Sequence, residues 1–359
     1  MTQVHHKNWK FDALRRATRK AVKLSEDELV TTSYLNQGQQ FPLVMRPQAD
    51  NIYLPEWARN NCAYIEGALE KHGAILFRGF KLESVSEFER FISAVSGEVL
   101  VYNERSSPRS QISGRIYTST DYPPEEGIFL HNEQSYNLVF PMKIFFFCDK
   151  APESGGATPI ADTRRVFERI ASEIRERFME RKYMYVRNFR DGIGLSWQEA
   201  FQTRYKSEAQ EYCRKNRIEY EWNAGDQLRT KQVREVAIRH RKTEEWSWFN
   251  HLTFFHHSTL DGKIKEEMLK SYTEMDLPNN TYYGDGSSIE AEVMDHLREA
   301  YQTEMVRFDW EEGDVLMLDN MLVAHGREPY LGERRIAVGM ADAWGWYKGW
   351  QDIKEDNYE

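Results

Sequence analysis

Three side chains in this chain could share one metal ion. In His131-Asn132-Glu133 an imidazole and a carboxylate stand two positions apart. On an extended strand such residues project from the same face, about two residue rises apart. His325, beyond the apolar run 314–319 (DVLMLD) and directly before Gly326, supplies a second imidazole. Two neutral imidazoles and one carboxylate on one face of an ion leave three positions open. That arrangement suits non-haem Fe(II) that must also bind a co-substrate and dioxygen, whereas zinc favours a closed tetrahedron. An isolated HxE tripeptide also arises by chance, so the residues around it carry weight. Arg335 lies at the head of the next apolar strand, where a planar guanidinium could clamp the distal carboxylate of 2-oxoglutarate bidentately. Arg334 is its rival, because a strand alternates its faces and only one of two adjacent arginines can point inward. Thr158, in Gly155-Gly156-Ala157-Thr158, could donate a hydroxyl hydrogen bond to the same carboxylate.

These groups need a frame, and the patterning predicts one. Residues 73–80 (GAILFRGF) read as a buried strand ending at a glycine turn. A helix follows, with a capping-box pattern at Ser84 and Glu87, Phe88, Phe91, Ile92 and Val95 at helical spacing, and Gly97 placed to end it. From residue 117 to 160 short apolar strands, notably 143–148 (KIFFFC), alternate with turn signals. Between 163 and 270 the chain turns helical and charged, with Val166, Ile170, Ile174 and Phe178 every fourth residue and a second capping box at Ser196 and Glu199. We read 163–270 as a helical insertion. Strands return at 314–319 and 335–340 (RIAVGM). With no repeat or interrupting linker, residues 1–359 read as one domain.

Composition narrows the function. With 359 residues and 40% hydrophobic content the chain can bury a large core. It has no apolar run long enough to span a bilayer and no apolar leader, so a soluble cytoplasmic protein is expected, with no membrane role. Cys62, Cys148 and Cys213 form no CxxC pair and are odd in number, which suggests neither a disulfide framework nor a thiolate zinc site and fits a reducing compartment. A net charge of -9 opposes nucleic-acid binding. Seven basic residues between Lys7 and Lys23, against one acid, read as a solvated helical face or as a docking arm for an acidic partner. The His5-His6 pair is incidental.

Taken together, GAILFRGF, YTSTDYPPEEGIFLHNEQSY, CDKAPESGGATPIAD and HGREPYLGERRIAVGMAD resemble the TauD/TfdA family of Fe(II)- and 2-oxoglutarate-dependent dioxygenases over most of the chain. The family's threonine stands 27 residues after its first iron histidine, the spacing of Thr158 from His131 (158 − 131 = 27). Its last histidine is followed ten or eleven residues on by the second arginine of a pair, which fits Arg335. Within the family, RSSPRSQISGRIYTSTDYP, HNEQSY and WFNHLTFFH resemble the SyrP-like amino-acid hydroxylases of nonribosomal-peptide pathways. Two departures stand out. The carboxylate is Glu133 where many members have Asp, and His251 stands where those relatives have Gln.

The resemblance implies a double-stranded β-helix, a cupin-like jelly roll wrapped by helices. It implies Fe(II), 2-oxoglutarate and O2 as cofactor and co-substrates, with release of succinate and CO2. The implied substrate is an amino acid, free or presented on a peptidyl carrier protein. Retention of Glu133 favours hydroxylation over halogenation, since relatives that chlorinate carry a small residue there; desaturation and epoxidation would use the same ligands. Substrate candidates are Arg105 and Arg109, ahead of the first ligand strand, and Asn250 and His251 in the WFNH segment. Each has a blander reading as an ion pair or packing group, and His256 and His257 read as packing or hydrogen-bonding residues. A non-catalytic metal-binding β-barrel would need neither Arg335 nor Thr158, and a zinc hydrolase would need a general base that no HExxH-type motif supplies.

Overall fold

The apolar run at 143–148 has no alternation because both of its faces are covered. It lies in the strand Val139–Lys150, near the middle of an eight-stranded sheet ordered Val30–Tyr34, Leu43–Pro47, Ala74–Phe77, Val315–Asp319, Val139–Lys150, Arg335–Gly345, Ile116–Thr118 and Gln111–Ser113. Phe145 and Phe147 face one way, packing with Phe88, Phe91 and Ile92 of the helix Val85–Val95 and with Trp57, Ile65 and Leu69 of two earlier helices. Ile144, Phe146 and Cys148 face the other way, into a core shared with a second sheet through Ile160 and Val323. The second sheet has four strands, ordered Met305–Val306, Ile160–Asp162, Val323–Arg327 and Ile128–His131. These are the two facing sheets of a jelly roll, without a closed barrel. The structure is a computed structural model that describes residues 29–347 except 37, 39, 98, 102, 103, 105, 107, 108, 191, 193 and 261. The basic segment at 7–23, His5, His6 and Arg105 therefore lie outside the described residues. Among those described, no helix is long and apolar enough to cross a membrane.

The local signals behave as their chemistry dictates. Ser84 accepts from the backbone N–H of Glu87, but the Glu87 carboxylate takes the N–H of Glu83, one residue before the cap. At Ser196 and Glu199 both halves of the capping box are present. The second sheet's outer face is covered by the long insertion, where Leu130, Ala161 and Ala324 meet Val166, Tyr183, Tyr185, Trp248 and Leu252.

The insertion corrects the expectation of helix alone. It contains the helices Thr163–Arg169, Ser172–Arg181, Trp197–Phe201 and Lys206–Lys215, and also a sheet ordered Glu219–Asn223, Gln227–Arg234, Tyr183–Phe189 and Asn279–Tyr283. YMYVRNF is rich in aromatic and β-branched residues and is buried along its whole length, so it behaves as a central strand. Its partner Asn279–Tyr283 lies past residue 270, which extends the unit beyond the expected boundary.

Candidate metal centre

His131 closes the strand Ile128–His131, and His325 lies opposite it on Val323–Arg327 in antiparallel register. Cross-strand pairing thus brings together two histidines that are far apart in sequence. Gly326 permits the close approach: a Cβ there would meet the Ile128 carbonyl oxygen at 2.6 Å. Glu133 is not on the strand, as the HxE pattern suggested, but in the turn after it. There Asn320 holds the turn. Its side-chain oxygen accepts from the Glu133 N–H at 2.8 Å and its amide donates to the carbonyls of Glu133 and Pro141 at 2.9 and 2.8 Å.

The ligand-type atoms of His131, Glu133 and His325 all lie within 4.8 Å of one another, and all three residues are buried. Two metal bonds of about 2.0–2.2 Å each span roughly 4 Å, so the set fits one ion. The His131 Nδ1–H donates to the Phe129 carbonyl at 2.8 Å, which leaves Nε2 as a lone-pair donor. His325 Nε2 is 3.8 Å from Glu133 Oε2, too long for a hydrogen bond, and its buried Nδ1 has no hydrogen-bond partner among the described residues. Burial holds both imidazoles below the usual histidine range, favouring the neutral ligand form. Arg109 donates to Glu133 Oε2 at 2.7 Å, so the carboxylate is paired before any ion arrives.

The two adjacent arginines part company. Arg335, expected as the clamp, is largely exposed and pairs on the surface with Asp149 and Glu333 at 2.8 Å each. Arg334 is the one that enters the cavity. It donates to the Gly156 carbonyl at 2.9 Å and to the hydroxyls of Ser119 and Thr158 at 3.2 Å each. The reason is the face of the strand. Ile336, Val338 and Met340 point into the core between the sheets, and alternation puts Arg334 on their side and Arg335 on the other. Burial, with Arg327 nearby, pushes the Arg334 guanidinium down to about 10. Gly156, at φ +68°, gives its carbonyl to Arg334, and a Cβ there would crowd the Arg334 side chain at 3.1 Å. Thr158 is buried beside Arg334 and accepts from Trp310 Nε1 at 3.1 Å, an orienting contact no sequence motif announced.

Arg334, Thr158, His131 and His325 line one cavity of about 490 Å³. The rest of its wall includes Phe146 and a group from the insertion and its extension: Arg187, Phe254, Phe255, Leu260, Met268 and Leu277. Phe254 stacks on the His131 ring at 4.9 Å, with an interplanar angle of 20°. Arg109 lines the cavity, though its hydrogen bond goes to Glu133. Asn250 and His251 do not line it, which corrects their reading as substrate contacts. Asn250 donates to the Val236 carbonyl and accepts from the Leu252 N–H; His251 is buried against Phe255 and bonds Ser135 at 2.7 Å. His256 pairs with Ser258 and His257 with Asn280. Phe254 and Phe255 lay in the quoted WFNHLTFFH stretch, but nothing in its pattern separated cavity from core.

Residues 39–341 match the family described as taurine catabolism dioxygenase TauD, TfdA family. The chain is 42% identical over 278 residues to dapdiamide synthesis protein DdaC of Enterobacter agglomerans, covering 77% of this chain and 84% of that one. It is 27% identical over 327 residues to a clavaminate synthase-like protein of Arabidopsis thaliana, covering 85% and 94%. The solved structure of PvcB, described as an Fe, alpha-ketoglutarate dependent oxygenase from an isonitrile synthetic pathway, superposes with a TM-score of 0.53 at 16% identity, covering 89% and 93%. A taurine dioxygenase from Burkholderia xenovorans gives 0.52 at 15%, covering 87% and 89%. At these identities the structural likeness is one of fold.

Proposed function

The chain belongs to the TauD/TfdA family of dioxygenases, and from that premise we propose that this iron- and 2-oxoglutarate-dependent oxygenase hydroxylates an aliphatic C–H bond of an amino acid or aminoacyl group in a natural-product pathway. The observation that carries the reading is the juxtaposition in one cavity of His131 and His325, beside Glu133, with Arg334 and Thr158. His131, Glu133 and His325 would hold iron on one side and leave its cavity side open. Iron with 2-oxoglutarate and dioxygen supplies the oxidising power, and succinate and CO2 leave.

The chain's own residues bind and orient. Arg334 offers a buried cation to the far carboxylate of 2-oxoglutarate, and Thr158 adds a hydroxyl whose orientation Trp310 and Arg334 hold. Arg109 donates to the Glu133 carboxylate and holds it in place. Phe146 and Phe254 wall the two imidazoles against water, which strengthens each polar contact inside. Glu133 in place of a small residue leaves no room for a halide ligand, which supports oxygen insertion over chlorination. The relationship to a dapdiamide synthesis protein supports the pathway class. The test measures succinate formation against free amino acids and carrier-bound aminoacyl thioesters, with product mass read for +16 against −2. Stimulation by neither set sinks the amino-acid reading, and −2 products replace hydroxylation with desaturation.

A further inference from the structure

Four arginines line the cavity, and they fall into two kinds. Arg109 meets the Glu133 carboxylate at 2.7 Å, and Arg187 faces Glu104 at 3.7 Å. Arg327 and Arg334 form no ion pair with any of the described residues, although Arg327 is only 5% exposed. The two stand close together. Their guanidinium carbons lie 5.4 and 5.6 Å from the centre of the same Tyr330 ring, and the charge of Arg327 helps to push Arg334 down. Like charges in a wall poor in water repel more strongly than they would in solvent. Such a pair favours the entry of an anion.

Arg327 is also held rigidly. It lies two residues beyond His325 on the strand Val323–Arg327, and its backbone pairs with Ile128 at the head of the first ligand strand. Its side chain straps down the loop before that strand: Nη1 donates to the Tyr122 carbonyl at 2.9 Å, and Nη2 to those of Pro123 and Glu126 at 2.5 and 2.7 Å. Nε is buried and finds no partner. The acids nearest to it, Glu126 and Glu125, act on it only through space, and the Glu126 carboxylate takes the Tyr122 hydroxyl at 3.1 Å. Three neutral carbonyls orient a guanidinium without cancelling its charge. With its Nη groups committed and its Nε covered, Arg327 offers the cavity a fixed field in place of a direct bidentate contact.

We propose that Arg327 is a specificity-determining residue of the co-substrate site: its fixed charge, added to the direct donors of Arg334, selects a 2-oxo acid with a second carboxylate over one whose far end is neutral. This rests on the oxygenase reading above and adds a residue to it. The metal draws the near end of any 2-oxo acid, so discrimination falls to the groups at the far end. Arg334 supplies the contact there and Arg327 the surplus charge.

The test measures binding to the Mn(II)-loaded protein by calorimetry, so that nothing turns over. The probes are N-oxalylglycine and N-oxalylglycinamide, which share the metal-chelating end and differ by one charge at the other. The wild type is expected to prefer the dianion about 100-fold. Arg327→Met and Arg327→Gln should each cut that preference about tenfold, the scale of one charge acting across a low-dielectric gap. Arg327→Lys, which keeps the charge but not the forked donors, should stay within about threefold of the wild type. Mn(II) binding should hold or tighten in all three variants, because removing a cation cannot weaken the hold on another cation through charge. A purely structural strap predicts the opposite pattern, with both probes and Mn(II) weakened together and lysine no better than glutamine. The proposal is overturned by that pattern, or by a dianion preference that survives in Arg327→Met and Arg327→Gln. A wild type that binds Mn(II) but neither probe would break the oxygenase reading and this proposal with it, whereas an unchanged preference in the variants removes Arg327 alone.

Discussion

The cavity has two differently made walls. On one, His131 and His325 are held by cross-strand register in the second sheet, and Arg334, next to the strand Arg335–Gly345, by side-chain hydrogen bonds to Gly156, Ser119 and Thr158. On the other, Phe255, Leu260 and Met268 come from helices and connections of the insertion, packed by side chains, while Arg187 comes from the insertion's central strand. The helix Gly262–Ser271, which carries Met268, has no buried residue of its own. A wall fixed by register can hold an ion in one geometry, because a shift of one residue would turn an imidazole ligand to the other face. A wall built from apolar side chains on a separate unit can change its occupant without disturbing the sheets. On the proposed function the chemistry would belong to the first wall and the choice of substrate to the second.

That division can be broken, most severely at Glu133. Glu133→Ala is expected to abolish substrate oxidation, a loss beyond the roughly 10–100-fold that removing an outer partner of a metal ligand costs. Product formation by mass spectrometry checks it, and full hydroxylating activity in the variant would remove the carboxylate from the mechanism. Next comes the pair of arginines. Arg334→Met should raise the KM for 2-oxoglutarate about 30-fold or more, since losing one partner of a buried charge pair costs about 2–5 kcal/mol. Arg335→Met should change it by no more than about twofold, because exposed ion pairs contribute about 0–1 kcal/mol. Equal effects of the two substitutions would contradict the assignment of Arg334.

Asn320→Ala tests whether the ligand turn is held from behind. It strips the partner from the buried Glu133 N–H and carbonyl, which should weaken Mn(II) binding about tenfold and cost about 1–3 kcal/mol of stability. Metal titration and urea denaturation read the two separately, and an unchanged metal affinity would leave Asn320 a purely structural residue. The smallest effect belongs to the insertion. Met268→Ala should alter discrimination between substrates of different chain length by about 1–3 kcal/mol, while substrate-free consumption of 2-oxoglutarate stays within about twofold of the wild type. A collapse of that background reaction would mean that the two walls are not separable.

Much of the frame was legible because its signals are local. The capping serine at Ser84, the uninterrupted apolar run at 143–148 and the strand at 335–340 each follow from neighbours a few residues apart. The insertion was legible only in its helices. Its strands have aromatic and charged residues that fit a sheet only once Asn279–Tyr283, far along the chain, pairs with Tyr183–Phe189. Asn250 and His251 were expected at the substrate through the resemblance carried by the WFNH segment. Their hydrogen bonds to Val236, Leu252 and Ser135 are tertiary facts.

By itself, the sequence determined which residue types were available for the site: two imidazoles and a carboxylate with the spacing of a metal set, a threonine after paired glycines, and two arginines at the head of a strand. Those follow from covalent order and donor chemistry. Tertiary structure decided which arginine enters the cavity, since that depends on which strand face meets the core. It also decided that Asn320 holds the Glu133 turn and that Arg187 joins the cavity wall. Long-range pairing sets these contacts, and a linear pattern carries no record of which face will be covered.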